Sequence, residues 1–340
     1  MSKILHRFKK ENVPLDEYID GCLYKFSESY YESKKVFGLR GDFITAPYVS
    51  SIFGEIIALH ILDFFVKRNI KNFRIIEIGA GEGLLAADII NTISKFQKFI
   101  FSYNILEKSK NLQQKQRQKL KFSNVNWVSS LNKIKGPNSF IICNELLDAF
   151  PVKQLKKINN IWHEKYVMID KKKKKVEEKF LSKPQSIKKI SDYVGLNHNF
   201  IEYAPMILPF VKQISEIIKL KNNCFLTIDY GYIDKYFHDT TQGLRKHKKT
   251  SIYKHPGETD ITHLINFNFL KSLFNKNGKF NCKTTNQSTF LKENGILERL
   301  SQTKKHITKD VLKNRLDLAV DRLININQMG DLFKVLIVNK

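Results

Sequence analysis

The 340-residue sequence predicts an α/β protein. Its expected frame is a Rossmann-like, mostly parallel sheet with an N-terminal helical extension, an antiparallel insertion and a helical C-terminal insertion. Three observations predict it. The apolar run Ile75-Ile76-Glu77-Ile78 ends in the turn Gly79-Ala80-Gly81-Glu82-Gly83 and passes into a helix-like stretch from Leu84. That order is a buried strand, a tight loop and a helix, the first half of a nucleotide-binding βαβ unit. Next, Phe101-Ser102-Tyr103-Asn104-Ile105-Leu106-Glu107 reads as a second strand closing on a carboxylate. Finally, strand-like and helix-like segments alternate until Pro151, where the apolar period shortens to that of a hairpin.

Taken in order, residues 11 to about 70 read as helical. Asp16-Glu17-Tyr18-Ile19 opens one helix. Ser50 offers an N-cap to another, whose apolar stripe runs through Ile52, Ile56, Leu59 and Leu62. The core then alternates: strand 73–78, helix 84–96, strand 100–106, helix 108–121, and a short strand at 125–128. An apolar strand at 139–145 ends on Asn144 and Glu145. Segments 152–158 and 161–169 flank Asn159-Asn160 as a hairpin with a two-residue turn, the start of an insertion at about 152–200. A helix at 205–220 leads to a buried strand, 224–231, ending on Asp229-Tyr230-Gly231. The polar segment to about 257 reads as loop. A helix near 266–277, a strand at 280–284, helices through 289–326 and a strand at 332–338 complete the chain. By segment, 1–70 is a helical and lid region, 71–232 the core with its insertion, and 233–340 the substrate-side helices and closing strands.

Glycines let a backbone approach a ligand where a Cβ would collide, and some such turns need positive φ. The spacing is Gly-x-Gly-x-Gly, with Glu77 two places before the first glycine. A pyrophosphate on a helix N-terminus goes with G-x-G-x-x-G instead. With Glu82 inside the loop, the ligand it suits carries no phosphate, and S-adenosyl-L-methionine (SAM) is that ligand. Glu107 lies close to where an acid holds ribose hydroxyls. The cofactor candidates are therefore Glu77, Gly79, Gly81, Gly83 and Glu107, with S-adenosyl-L-homocysteine (SAH) as the product. Taken alone, the loop is also compatible with an ordinary strand-to-helix turn.

Hydrophobic content of 42% and aromatic content of 12% supply a core, so whole-chain disorder is excluded. No apolar run approaches the ~18 residues of a membrane span. The basic first ten residues lack the apolar segment and cleavage site of a secretory signal. They are also poor in serine and arginine for a mitochondrial presequence. The expected location is a bacterial cytoplasm, or the mitochondrial matrix in a eukaryote. Cys22, Cys143, Cys224 and Cys282 form no C-x-x-C pair and are expected as thiols, with no metal site. The net charge of +25 admits nucleic acid as a partner. Much of it, however, is lysine spread among Asn and Ile, as an AT-rich genome also produces.

Several blocks together are similar to one family. They are Gly41-Asp42-Phe43-Ile44-Thr45-Ala46-Pro47, the glycine loop from Glu77 to Gly83, and Asn144-Glu145-Leu146-Leu147-Asp148-Ala149-Phe150-Pro151. Ile228-Asp229-Tyr230-Gly231, Pro256-Gly257-Glu258-Thr259-Asp260-Ile261-Thr262 and Met329-Gly330-Asp331-Leu332-Phe333-Lys334-Val335 continue them. With these blocks the chain resembles the MidA-like family of SAM-dependent methyltransferases. Its mitochondrial members are protein arginine methyltransferases that assist respiratory complex I assembly. The chain departs from the family pattern at Ala80 and Glu82, where Pro and Arg are usual, and at Tyr48, where Glu is usual.

The resemblance implies a class I SAM-dependent methyltransferase sheet and an arginine acceptor. Guanidinium stays protonated, and its planar fork pairs with carboxylates. A site for it needs acids that orient the group and take up the lost proton. Glu145, Asp148 and Asp229 are the catalytic candidates. Glu145 and Asp148 share one side if their turn is helical, although helix-capping acids satisfying the dipole have the same spacing. Asn144 is a candidate cofactor contact. Gly41, Asp42 and Phe43 are expected as a lid over the cofactor, with Glu55 nearby; a plain helix-entry loop is the other reading. Asp229 and Tyr230 would border the acceptor pocket or simply end a strand. Glu258 and Asp260 would touch substrate or belong to a turn, and His263 and Arg299 read as local pairing.

The leading expectation is a protein arginine N-methyltransferase making symmetric dimethylarginine on a complex I subunit. A nucleic-acid methyltransferase is the second, although the strand end Asn144-Glu145-Leu146-Leu147 offers no ring to stack on a flipped base. A non-catalytic, SAM-binding assembly chaperone is the third.

Overall fold

The computed structural model describes residues 3–33, 45–121, 123–173, 175–183, 185–194, 197–246 and 248–340. Gly41, Asp42 and Phe43 lie outside the described residues. The apolar run before the glycine loop forms β1 (Asn72–Ile78), buried from Ile75 to Ile78. β2 (Ile100–Leu106), β3 (Val125–Val128), β4 (Ser139–Asn144) and β5 (Cys224–Tyr232) follow. β6 (Asn281–Asn286) and β7 (Phe333–Asn339) close the chain. Across the sheet the order is β6-β7-β5-β4-β1-β2-β3. β1 to β5 run parallel, while β7 is antiparallel to both β5 and β6. The chain order reverses at β1 and β4, the place where open α/β sheets gather ligands at their carboxyl ends.

The segments form two units. The sheet unit comprises Ile44–Leu146, Gln213–Tyr232 and Gly278–Lys340. The insertion unit comprises Met1–Phe43, Leu147–Lys212 and Ile233–Asn277.

In the sheet unit, helix Ser51–Val66 begins where Ser50 accepts a hydrogen bond from the Ile52 N–H at 3.3 Å. Its apolar stripe packs on the strands. Phe65 stacks on Phe73 of β1 with ring centroids 4.3 Å apart, and Phe64 meets Phe140 of β4 edge-on. Gly54 lets this helix approach the next, Leu84–Ile93, because a Cβ there would lie 2.4 Å from the Asp88 Cβ. Ile75, Ile89, Tyr103, Phe140, Leu226 and Val335 join one continuous core.

In the insertion unit, Lys153–Ile158 and Ile161–Asp170 form the expected hairpin. Asn159 and Asn160 supply the left-handed turn, with φ of 48° and 61°. That turn matches strand twist, and asparagine tolerates it. Lys175–Ser182 pairs along the other edge of Ile161–Asp170, and Phe200–Tyr203 pairs with Lys153–Ile158. Asn12–Pro14, inside the stretch read as helical, is instead a short strand pairing with Tyr166 to Met168. Its partner lies some 150 residues away, so local pattern could not reveal it. Where loop was expected, Gln242–Arg245 pairs with Lys248–Thr250 and Asp260–Thr262. Leu155, Trp162, Ile190, Ile201 and Phe237 make a separate small core. Cys22, Cys143 and Cys224 are buried free thiols, and Cys282 is partly exposed.

Candidate active site

The glycine loop sits at the carboxyl end of β1, anchored by the Gly79 N–H on Leu106 O at 3.0 Å and by Gln116 Nε2 on Gly81 O at 2.8 Å. Gly79 and Gly81 have φ of 71° and 52°, a left-handed region that costs other L-residues energy. A Cβ on Gly79 would lie 2.7 Å from Leu146 Cδ1, so the bare glycine lets the end of β4 close against the loop. Among the described residues, a Cβ at Gly81 would meet nothing within 4 Å. This is the loop's open face, where a ligand can reach backbone.

Glu107 follows β2, as a ribose-holding acid should. Its Oε1 accepts the Ser109 N–H at 2.9 Å and its Oε2 accepts Gln116 Nε2 at 3.4 Å. Glu77 is buried inside β1 and accepts the Tyr103 hydroxyl at 2.7 Å. Burial pushes its carboxyl up to about 7; the Tyr103 hydroxyl opposes this and Glu107 adds to it. Glu82 accepts Lys115 Nζ at 2.7 Å and the Tyr48 hydroxyl. Burial would raise its carboxyl, but Lys115 and Tyr48 outweigh that and hold it below the usual range. Tyr48 and Glu82, two of the departures from the family pattern, thus meet each other.

Beside the loop stand the ends of β4 and β5, paired in register at Asn144 and Ile228. Glu145 turns left-handed there, with φ of 51°, and its N–H donates to Ile228 O at 2.9 Å. A non-glycine residue held so carries strain of the kind that collects at functional sites. Its Oε1 accepts the Ala46 N–H at 3.1 Å and Asn144 Nδ2 at 3.0 Å. Burial pushes the Glu145 carboxyl up to about 8; the Ala46 N–H and Asn144 oppose this, and Asp229 adds to it. Asp229 is fully buried, and its two oxygens accept the Leu146 N–H at 3.1 Å and the Tyr230 N–H at 2.9 Å. It fixes the two strand ends together. The helical turn that would align Glu145 with Asp148 does not start at Glu145; a short 3-10 helix spans Leu147–Ala149.

Asp148 belongs to the insertion unit, where it is buried, as is Asp260. The Tyr31 hydroxyl lies 3.5 Å from Asp260 Oδ1, and the Tyr31 ring stacks parallel on Tyr24 at 5.1 Å. Burial, then Asp260 and Asp148 among its charged neighbours, keeps Tyr31 protonated. His263, whose N–H donates to Asp148 O at 3.1 Å, is pushed by burial down to about 4 and is neutral. Glu258 pairs with Arg245 at 2.7 Å, and in the sheet unit Arg299 pairs with Glu55 at 2.6 Å. Sequence reasoning missed Tyr103, Gln116 and Lys115. Gln116 and Lys115 hold the loop and Tyr103 holds Glu77 beneath it, each from an ordinary-looking helix or strand position with no local signal.

Among the described residues, no group of three or more His, Cys, Asp or Glu side chains is placed to hold a metal, and no helix is long and apolar enough to cross a membrane. The residues present do fit SAM: an open backbone cradle at Gly81 and an acid after β2. Sheet order, loop and strand ends define a class I SAM-dependent methyltransferase. Residues 56–285 match the model of a family described as S-adenosyl-L-methionine-dependent methyltransferase, and the chain belongs to that family. It is 25% identical over 352 residues to "Protein arginine methyltransferase NDUFAF7, mitochondrial" of Xenopus laevis, covering 95% of this chain and 80% of that one. The human protein of the same name is 25% identical over 349 residues, covering 94% and 78%. A Burkholderia thailandensis protein whose crystal structure is bound to SAH shares the fold. Its TM-score is 0.82 at 24% identity, over 97% of this chain and 88% of that one.

Proposed function

We propose that this methyltransferase is a protein arginine N-methyltransferase, that it makes symmetric dimethylarginine, and that its target is a respiratory complex I subunit or a related protein. SAM supplies an electrophilic methyl group, and the chain's own residues align and deprotonate the acceptor. Glu145 carries the reading. Its carboxyl stands at the strand end beside the glycine loop, raised to about 8, where it can take a proton from a nitrogen losing its charge. Gly79, Gly81, Gly83 and Glu107 hold the cofactor, with Glu77 bracing β1 beneath them. In the insertion unit, Asp148 is proposed as a further acceptor-side acid. The relatives' name supports the arginine acceptor and a mitochondrial setting; a bacterial cytoplasm is the corresponding setting in a bacterium.

The test is methyl transfer from labelled SAM into candidate protein substrates, followed by hydrolysis and separation of methylarginines. Label in symmetric dimethylarginine is expected. The charge of +25 keeps a nucleic-acid acceptor as the second reading. Label found only in RNA would replace the first reading with it, and steeply salt-dependent RNA binding would accompany that outcome. An Asp148→Ala enzyme with full biological activity would favour a SAM-binding chaperone.

A further inference from the structure

The Asn144 side-chain oxygen is buried and accepts no hydrogen bond among the described residues. Its amide nitrogen is committed to Glu145 Oε1. Reversing the amide would set two oxygens face to face, so the carboxylate fixes the orientation. A buried acceptor left unmet is destabilising, which is why such an atom calls for a donor. The neighbouring carboxyl has the same opening. Glu145 Oε1 is occupied by Asn144 and by the Ala46 N–H, while Oε2 has no hydrogen-bond partner among the described residues. Asp229 is fully buried, and each of its oxygens already accepts a backbone N–H.

Two open acceptor atoms therefore stand on consecutive residues at the end of β4. They lie between the strand that ends in the glycine loop and the strand that carries Asp229. We propose that Asn144 Oδ1 and Glu145 Oε2 together receive N–H groups of the acceptor's guanidinium. Asn144 is then a specificity residue for the acceptor rather than a cofactor contact. This rests on the arginine reading and names the atoms that recognise the group. An amide oxygen beside a carboxylate oxygen suits a planar fork of N–H donors, which offers two hydrogens along one edge. The sulfonium itself carries no N–H donor, and the cofactor's nearby α-ammonium is retained in SAH, so SAH affinity separates an acceptor contact from a cofactor contact.

The experiment uses the full chain saturated with SAH at pH 9, where Glu145 is a carboxylate, and two probes, N-acetyl-arginine methylamide and its neutral citrulline counterpart, titrated by ligand-observed NMR. The wild type is expected to prefer the arginine compound. Asn144→Leu, similar in size but without the oxygen, should bind it about tenfold more weakly, a loss of about 1.4 kcal/mol. SAH affinity should stay within about twofold. Asn144→Asp, which keeps an acceptor oxygen, should retain the preference. Unchanged arginine binding in Asn144→Leu overturns the proposal alone, as does a loss confined to SAH affinity. A wild type that does not prefer the arginine compound overturns the arginine reading and the proposal with it.

Discussion

Glu145, the proposed base, combines a left-handed backbone, a half-filled carboxyl and a carboxyl raised by burial to about 8. Glu145→Gln should lower kcat by about 10²–10⁴-fold, as loss of a general base does. In wild type, kcat/KM should rise with pH through about 8, and the variant should lose that limb. The same shift bears on stability. The folded pKa exceeds the ordinary carboxylate value of 4.5, so its contribution is full below about that pH and fades as pH rises through 8. Relative to wild type, Glu145→Gln should therefore gain stability progressively between pH 5 and 9, by an amount on the order of 5 kcal/mol at the alkaline end. A pH-independent difference would remove the carboxyl as its source. Gly81→Ala tests the open cradle. With no described neighbour to clash, its cost is about 1–2 kcal/mol of backbone strain, while SAH affinity should fall by about tenfold or more. That Glu145 and Asn144 end a strand was legible in the sequence; that one turns left-handed and the other keeps an open oxygen was not. Both features depend on Ala46 and Ile228, residues distant along the chain.

At the scale of elements, the alternation of strand and helix from 73 to 144 was readable because buried parallel strands are apolar runs bounded by turns. The Asn159-Asn160 hairpin was readable because its two-residue turn has a chemical signature. Replacing both asparagines with alanine should destabilise the insertion unit, since alanine pays to enter the left-handed region at each position; a glycine pair should restore it. Urea unfolding midpoints decide the matter. In the sheet unit, Phe65→Ala removes the ring stacked on Phe73 and should cost about 3–5 kcal/mol. The strand Asn12–Pro14 escaped because three residues carry no period, and Pro14 is tolerated only at such a sheet margin.

For the whole molecule, each unit draws on three separate segments. A ligand that binds one unit stabilises that unit by mass action. SAH at about 100 times its Kd should add about 2.7 kcal/mol. Calorimetry is expected to show this as an upward shift in the transition of the sheet unit. No shift at saturating SAH would place the cofactor elsewhere. β7 shows why the last segment matters: it enters antiparallel between β5 and β6, and the Phe333 ring packs on Tyr230, centroids 4.0 Å apart, next to Asp229.

The sequence by itself determined the glycine loop, the acids that follow the parallel strands, the hairpin turn and hence the cofactor class, because each is written within a few consecutive residues. Tertiary structure alone decided which atoms are open. Among the described residues, Gly81 has no neighbour where a Cβ would stand while Gly79 faces Leu146; Asp229 accepts backbone N–H groups on both oxygens while Asn144 keeps a buried oxygen unmet. Hydrogen-bond satisfaction is a property of neighbours in space, and those neighbours come from segments up to about 100 residues apart in the chain.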